Sequence, residues 1–69
     1  SEHVERIEDI LARLGVASTP FDLDLPAYKL HALKGKLKSF WSVSVSGNWR
    51  IVFRFKEGDV FDVNLIDYH

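Results

Sequence analysis

The stretch WSVSVSGNWRIVFRF (Trp41–Phe55) contains two runs in which apolar and polar residues alternate, separated by a Ser-Gly-Asn turn. Alternation with a period of two is typical of half-buried strands, and two such runs around a short Gly-containing turn are typical of a hairpin. A third run follows over residues 60–66, where Phe61, Val63 and Leu65 are expected to share one face. The sequence therefore predicts an antiparallel β-meander.

One helix is predicted upstream of this meander. Over residues 3–14, apolar side chains recur at helical spacing, and we expect Gly15 to end the helix. The next segment, residues 16–27, contains two prolines and is predicted to be a connector, followed by a short strand over residues 28–33. The expected fold is one α+β domain spanning residues 1–69, with an N-terminal helix packed on the antiparallel β-meander.

The alternation also predicts how the cations of the third strand are placed. If Ile51 and Phe53 face the helix, then Arg50 and Arg54 face the opposite side of the sheet. The turn two strands earlier contains three lysines that could approach this second face, namely Lys34, Lys36 and Lys38.

Charge is distributed unevenly along the chain. Between Tyr28 and Lys56 there are seven Lys or Arg residues and no Asp or Glu, whereas all ten acidic residues lie outside this segment. His31 and both tryptophans lie inside it. Cations interleaved with aromatic side chains suit a polyanion whose bases can stack, so RNA is the first ligand to consider.

Composition excludes several classes of site. The chain of 69 residues has no cysteine, so it has neither disulfides nor thiolate metal sites, and its three histidines lack the spacing of metal ligands. No apolar run approaches the roughly 18 residues of a membrane span, and no secretory signal is visible. We therefore expect no metal, no cofactor, no membrane partner and a cytoplasmic location.

Three motifs carry a resemblance to a known family: YKLHALKG at Tyr28–Gly35, NWRI at Asn48–Ile51 and DYH at Asp67–His69. Their order and spacing resemble the HigB toxins of the RelE superfamily, from about Arg6 to His69. The resemblance implies a small α+β fold and a type II toxin that cleaves mRNA in the ribosomal A site. It also implies neutralisation by a HigA-like helix-turn-helix antitoxin.

Family members usually begin with a strand and a basic helix that have no counterpart before the predicted helix. We therefore expect a domain shortened at its N-terminus, with part of the apolar face of its sheet uncovered at Trp41, Ile51, Phe53 and Val63. Such a chain is expected to self-associate, because open sheet edges and apolar faces attract other chains.

The resemblance implies a metal-free acid–base site, and the motifs show which residues of this chain would form it. Its expected catalytic residues are His31, Lys34, Arg50, Asp67, Tyr68 and His69, and its expected RNA-binding residues are Lys36, Lys38, Asn48 and Arg54. Arg50 and Lys34 would hold the scissile phosphate, while His69 and His31 would move protons. Tyr68 would stack or assist proton transfer, and Asp67 would orient its neighbours or act as a base. Which group removes and which returns the proton stays open.

Plainer interpretations remain beside these. Trp41 and Trp49 fall on the apolar phase of their strands and suit packing better than RNA stacking. Asn48 could simply adopt the positive φ of a turn. Two other functions stay open: a non-cleaving fragment that binds RNA or antitoxin, and a gyrase-directed toxin of the related ParE type.

Overall fold

The structure is a computed structural model that describes residues 1–67. Its helix and strands, in chain order, are α1 (Glu2–Val16), β1 (His31–Ala32), β2 (Trp41–Ser46), β3 (Trp49–Lys56) and β4 (Asp59–Asp67). Short 3-10 helices lie at Pro20–Leu23, Pro26–Tyr28 and Gly35–Leu37. The strands form an antiparallel sheet in the order β1-β2-β3-β4, and α1 packs on one face, which confirms the predicted α+β fold. No helix within the described part of the chain is long and apolar enough to cross a membrane.

Helix α1 begins at a side-chain cap and ends without a glycine. The Oγ of Ser1 accepts a hydrogen bond from the backbone N–H of Val4, which satisfies one of the unpaired donors of the first turn. The prediction that Gly15 ends the helix is wrong, because the helix continues to Val16. The chain leaves the helix through Ala17 in an extended conformation, with its N–H bonded to Leu14 O, so the exit requires no left-handed residue.

The core lies between α1 and the helix-facing side of the sheet. Ile10 and Leu14 of the helix pack against Val43, Ile51 and Phe53 of the central strands, and all five are buried. Full burial of such a side chain contributes roughly 1.5–3 kcal/mol. Burial of Ile51 and Phe53 fixes the opposite orientation for Arg50 and Arg54, as the alternation predicts.

The first strand is shorter than predicted. Residues 28–33 were expected to be extended, but only His31–Ala32 pair with β2. Pro26 starts a 3-10 helix that ends at Tyr28, and Lys29 then adopts a left-handed conformation with φ 49°. The ring of buried Tyr28 is covered by the guanidinium groups of two helix arginines, which anchors this connector to α1.

A bulge in β4 changes the face of one aromatic residue. Val52 pairs with Asn64, but the next pair on that face joins Arg54 to Phe61, so one residue is inserted in β4. Asp62 occupies the bulge with φ 54°. Phe61 therefore lies on the face of Arg54, and the prediction that it shares a face with Val63 and Leu65 is wrong.

The apolar surface left uncovered is smaller than expected. Ile51 and Phe53 are buried under α1, so the expectation was wrong for these two residues. Trp41 is half-buried and makes an edge-to-face contact with Phe21 at 5.3 Å. Val63 and Leu65 of β4 remain exposed, at 41% and 40%, and self-association through such a surface stays a prediction.

Candidate functional site

The face of the sheet turned away from α1, called the open face, is organised in rows of paired residues. The row beside the β2–β3 turn contains Ser44, Arg50 and Ile66. The middle row contains His31, Ser42, Val52 and Asn64. The row at the far end contains Arg54 and Phe61, next to the Phe40 ring. Cationic and imidazole side chains from β1 and β3 thus share one surface.

His31 and Arg50 lie on this face two strands apart. His31 pairs with Ser42 of β2, and Arg50 pairs with Ser44 of the same strand. With strands about 4.8 Å apart and a rise of about 3.4 Å per residue, this register places the two Cα atoms roughly 12 Å apart. Both side chains are long enough to reach a single phosphodiester group between them.

The orientation of the His31 ring is set by a backbone contact. Its Nδ1 lies 3.2 Å from the carbonyl oxygen of Lys29, and because a carbonyl can only accept, the ring donates through Nδ1–H. A neutral imidazole with its proton on Nδ1 leaves Nε2 as the acceptor. The exposed ring can therefore take a proton through Nε2.

The predicted lysines lie in the loop that joins β1 to β2. Lys34 precedes the 3-10 helix Gly35–Leu37, Lys36 lies within it and Lys38 follows it, and all three lysines are exposed. The loop is closed where Leu33 N–H bonds Phe40 O, at the sheet end that carries Arg54. Along the strand direction His31 therefore has Arg50 on one side and Lys34 on the other.

Asn48 lies at the opposite end of the sheet, in the exposed turn between β2 and β3. The left-handed φ of this turn, 54°, belongs to Gly47, and Asn48 is not among the positive-φ residues of the described chain. The interpretation of Asn48 as a positive-φ turn residue is therefore wrong. Asn48 precedes Arg50 by two residues, and a hydrogen bond from its amide to RNA remains its predicted role.

Arg54 is held by contacts within the fold. Its guanidinium carbon lies 5.2 Å from the centre of the Phe40 ring and 4.9 Å from that of Phe61. Its NH1 also forms an ion pair with Asp62 at 3.2 Å. RNA binding by Arg54 stays a prediction, and the contacts indicate that this cation fixes two aromatic rings at one end of the open face.

The last predicted residues are placed only in part. Asp67 pairs with Trp49, one position beyond the pair of Arg50 with Ile66. Because side chains alternate between faces, register directs Asp67 to the side of Trp49 rather than to that of Arg50. Tyr68 and His69 lie outside the described residues, and their predicted catalytic roles stay predictions.

The two tryptophans make different contacts. Trp41 packs against Phe21, as the plainer interpretation requires. Trp49 is 40% exposed and meets the His3 ring edge-on at 6.1 Å, while His3 Nδ1 lies 2.6 Å from Ser46 Oγ. These contacts tie the start of α1 to the β2–β3 turn and give His3 a structural role that the sequence did not reveal.

Sequence reasoning also missed a cavity on the open face. Leu37, Phe40, Val52, Asp62, Val63, Asn64 and Ile66 line this cavity, whose volume is about 390 Å³. The period of two could have placed Val52 and Asn64 on this face. The position of Leu37 over Val52 and Asn64 depends on the 3-10 helix, and no pattern in the sequence predicted it. No group of three or more His, Cys, Asp or Glu residues that could hold a metal occurs in residues 1–67, and metal-free cleavage stays a prediction.

Comparison with known proteins gives two matches that span the chain. A sequence profile of the family described as "RelE-like toxin of type II toxin-antitoxin system HigB" matches residues 1–69. The chain is also 42% identical over 69 residues to a Proteus vulgaris protein named Endoribonuclease HigB. This alignment covers 100% of the chain and 75% of the Proteus protein.

Proposed function

Because the chain belongs to the family of RelE-like HigB toxins of type II toxin–antitoxin systems, we propose that it is an endoribonuclease that cuts mRNA in the ribosomal A site. The resemblance read from three short motifs is thereby confirmed. A toxin of a type II system has an antitoxin partner, and we expect this partner to be a HigA-like helix-turn-helix protein. The proposed ribonuclease activity is based on the name of the Proteus relative, Endoribonuclease HigB.

The observation that supports this proposal most directly is the shared face of His31 and Arg50. Cleavage of RNA at its own 2′-hydroxyl requires a proton acceptor beside that hydroxyl and a cation beside the phosphate. The register places an imidazole and a guanidinium at a suitable separation on one surface. The Nδ1 contact to Lys29 keeps Nε2 of that imidazole as the acceptor.

The proposed reaction proceeds in one displacement at phosphorus. Nε2 of His31 takes the proton of the 2′-hydroxyl, whose oxygen attacks the adjacent phosphorus and forms a 2′,3′-cyclic phosphate. The bond from phosphorus to the 5′-oxygen breaks, and that oxygen receives a proton. Arg50 and Lys34 stabilise the negative charge that builds up on the phosphoryl oxygens.

The proton for the leaving oxygen is assigned to the end of the chain. His69 can donate it, because an imidazole titrates near neutral pH. Tyr68 would stack on a base or assist this transfer, and Asp67 would orient the two residues that follow it. This assignment needs no metal ion, in keeping with the acid–base site implied by the family motifs.

Dependence on the ribosome fits the shape of the site. The open face is one side of a sheet, and the loop with its lysines and the turn with Asn48 lie at opposite ends of it. Binding sites for small substrates are usually concave and bury most of the ligand. The ribosome would supply the rest of the binding surface and hold the mRNA strand in place.

The proposal is tested by primer extension on mRNA translated in an extract with added protein. We expect cuts within A-site codons, reduced about 100-fold or more by Arg50→Ala, because a preorganised charge contact to the reacting group is lost. Lys56→Ala, an exposed cation at the end of the same strand, is the matched control and should cut normally. Undiminished cutting by Arg50→Ala would show that the site is wrongly assigned.

The same experiment separates the remaining functions. Binding of the protein to ribosomes or antitoxin without cuts would support the non-cleaving fragment. DNA damage in cells without mRNA cuts would support a toxin of the ParE type. Either outcome would reject the ribonuclease proposal.

A further inference from the structure

The cavity on the open face has apolar walls and a single uncharged amide. Leu37, Phe40, Val52 and Ile66 provide the apolar surface, and the side chain of Asn64 stands among them. Its volume of about 390 Å³ falls in the range of small-ligand sites, about 300–1,000 Å³. Such a cavity suits a flat, mostly apolar group whose edge offers a few hydrogen bonds.

The charge at the rim is already compensated. Asp62 also lines the cavity, but its carboxylate is paired with NH1 of Arg54 at 3.2 Å. The same guanidinium contacts the Phe40 ring, which forms part of the wall. Arg54 therefore neutralises the one acidic group of the rim and positions an aromatic wall, so that a polyanion can approach.

The cavity lies directly beside the residue proposed to hold the scissile phosphate. Ile66, one of its walls, is the strand partner of Arg50. Val52 and Asn64 form the next pair on the same face, about 7 Å farther along the strand. A phosphate bound at Arg50 would thus have its neighbouring nucleoside above the cavity.

On the basis of the proposed ribonuclease function, we propose that this cavity is a subsite for one unpaired nucleobase adjacent to the scissile phosphate, and that Asn64 reads the edge of that base. An unpaired base presents apolar faces and an edge of donors and acceptors, which proteins recognise by stacking and side-chain amide hydrogen bonds. The Asn64 amide has both a donor and an acceptor to offer that edge. Phe40 and Leu37 supply the contact with the face of the ring.

The substitution Asn64→Asp tests this inference through specificity rather than rate. A carboxylate keeps the shape of the amide but can only accept hydrogen bonds, so it favours the bases that carry an amino group (adenine, cytosine and guanine) over uracil. The ends of cut mRNA are sequenced for wild type and variant, and the four bases next to the cut are ranked. We expect cutting beside these three bases to rise relative to uracil by about fivefold or more.

Two controls isolate the effect. Asn64→Leu removes the hydrogen bonds without adding charge, and it should flatten the ranking without disfavouring uracil. Val16→Asp adds the same negative charge at a site that is 87% exposed at the end of α1, and its ranking should match that of wild type. A ranking for Asn64→Asp within about twofold of wild type, with cutting retained, would overturn the inference.

A second measurement does not depend on cleavage or on a folded variant. Isotope-labelled wild-type protein is titrated with nucleoside monophosphates at millimolar concentration, and its amide NMR signals are followed. Shifts centred on Leu37, Asn64 and Ile66 support the subsite, whereas shifts centred elsewhere or none at all reject it. If these shifts occur and translated mRNA is not cut, the ribonuclease proposal fails and base binding by the cavity stands.

Discussion

The Nδ1 atom of His31 donates a hydrogen bond to the carbonyl oxygen of Lys29, 3.2 Å away, and Lys29 itself has a left-handed backbone with φ 49°. The orientation of the proposed proton acceptor therefore depends on an unfavourable backbone conformation two residues earlier. Pro26 and buried Tyr28 hold the chain in this conformation, because the 3-10 helix between them is packed against α1. The hydrogen bond from His31 to Lys29 therefore connects the backbone conformation of Lys29 with the proposed proton transfer.

Replacing the imidazole should abolish most cleavage without unfolding the protein. We expect His31→Gln to cut translated mRNA about 100-fold more slowly or worse, because a positioned acid or base typically contributes that much. His3→Gln is the matched control, because His3 lies at the start of α1, where its contacts with Ser46 and Trp49 are structural. Primer extension gives both rates, and a normal rate for His31→Gln would remove His31 from the mechanism.

The left-handed residue provides a separate test of how the imidazole is oriented. Lys29→Val should destabilise the protein by about 1–2 kcal/mol, because a β-branched side chain clashes at positive φ. Lys29→Gly accepts this φ freely, so it should retain more stability although it loses the same ammonium group. Urea unfolding measures stability, and cleavage should fall further for valine than for glycine. Equal stability of the two variants would show that the φ at residue 29 is not constrained.

The orientation of Arg50 could be predicted from the sequence because β3 keeps the period of two from Arg50 to Arg54. Ile51 and Phe53 are buried under α1, and their burial leaves no choice for Arg50 and Arg54, which flank them in β3. The face of Phe61 could not be predicted in this way. A bulge shifts the alternation by one residue, and Asp62 at that position resembles any other polar strand residue.

The candidate site likewise contains residues that the sequence could predict and features that it could not. Short motifs identified His31 and Arg50, and strand register then placed them together. The cavity could not be predicted, because Leu37 reaches it from a 3-10 helix whose position depends on tertiary packing. The left-handed conformation of Lys29 was also invisible, since lysine has no preference for positive φ.

The aromatic contacts of Arg54 should be measurable as stability. Arg54→Ala removes a cation from between Phe40 and Phe61 and leaves Asp62 without its partner. Two partly exposed cation–π contacts and one surface ion pair together suggest a loss of about 1–2 kcal/mol in the free energy of unfolding. Lys56→Ala in the same strand is the control and should change stability by less than about 0.5 kcal/mol. Urea unfolding measures the stability of both variants, and equal midpoints would contradict the structural role of Arg54.

The connector after α1 should make stability sensitive to acid through Asp22. The backbone N–H groups of Ser18 and Thr19 donate to its carboxylate at 2.9 Å and 3.3 Å, and these hydrogen bonds lower the pKa of Asp22 below its ordinary value. A carboxyl group with a lowered pKa in the folded state stabilises that state above its unfolded pKa, and the contribution is lost as pH falls through the folded pKa. Asp22→Asn should therefore be less stable than wild type at pH 7, and the difference should shrink below about pH 4. Urea midpoints measured from neutral to acidic pH test this, with Asp24→Asn as the control because it leaves both backbone contacts intact. A difference between wild type and Asp22→Asn that stays constant with pH would show that these hydrogen bonds do not favour the ionised carboxylate.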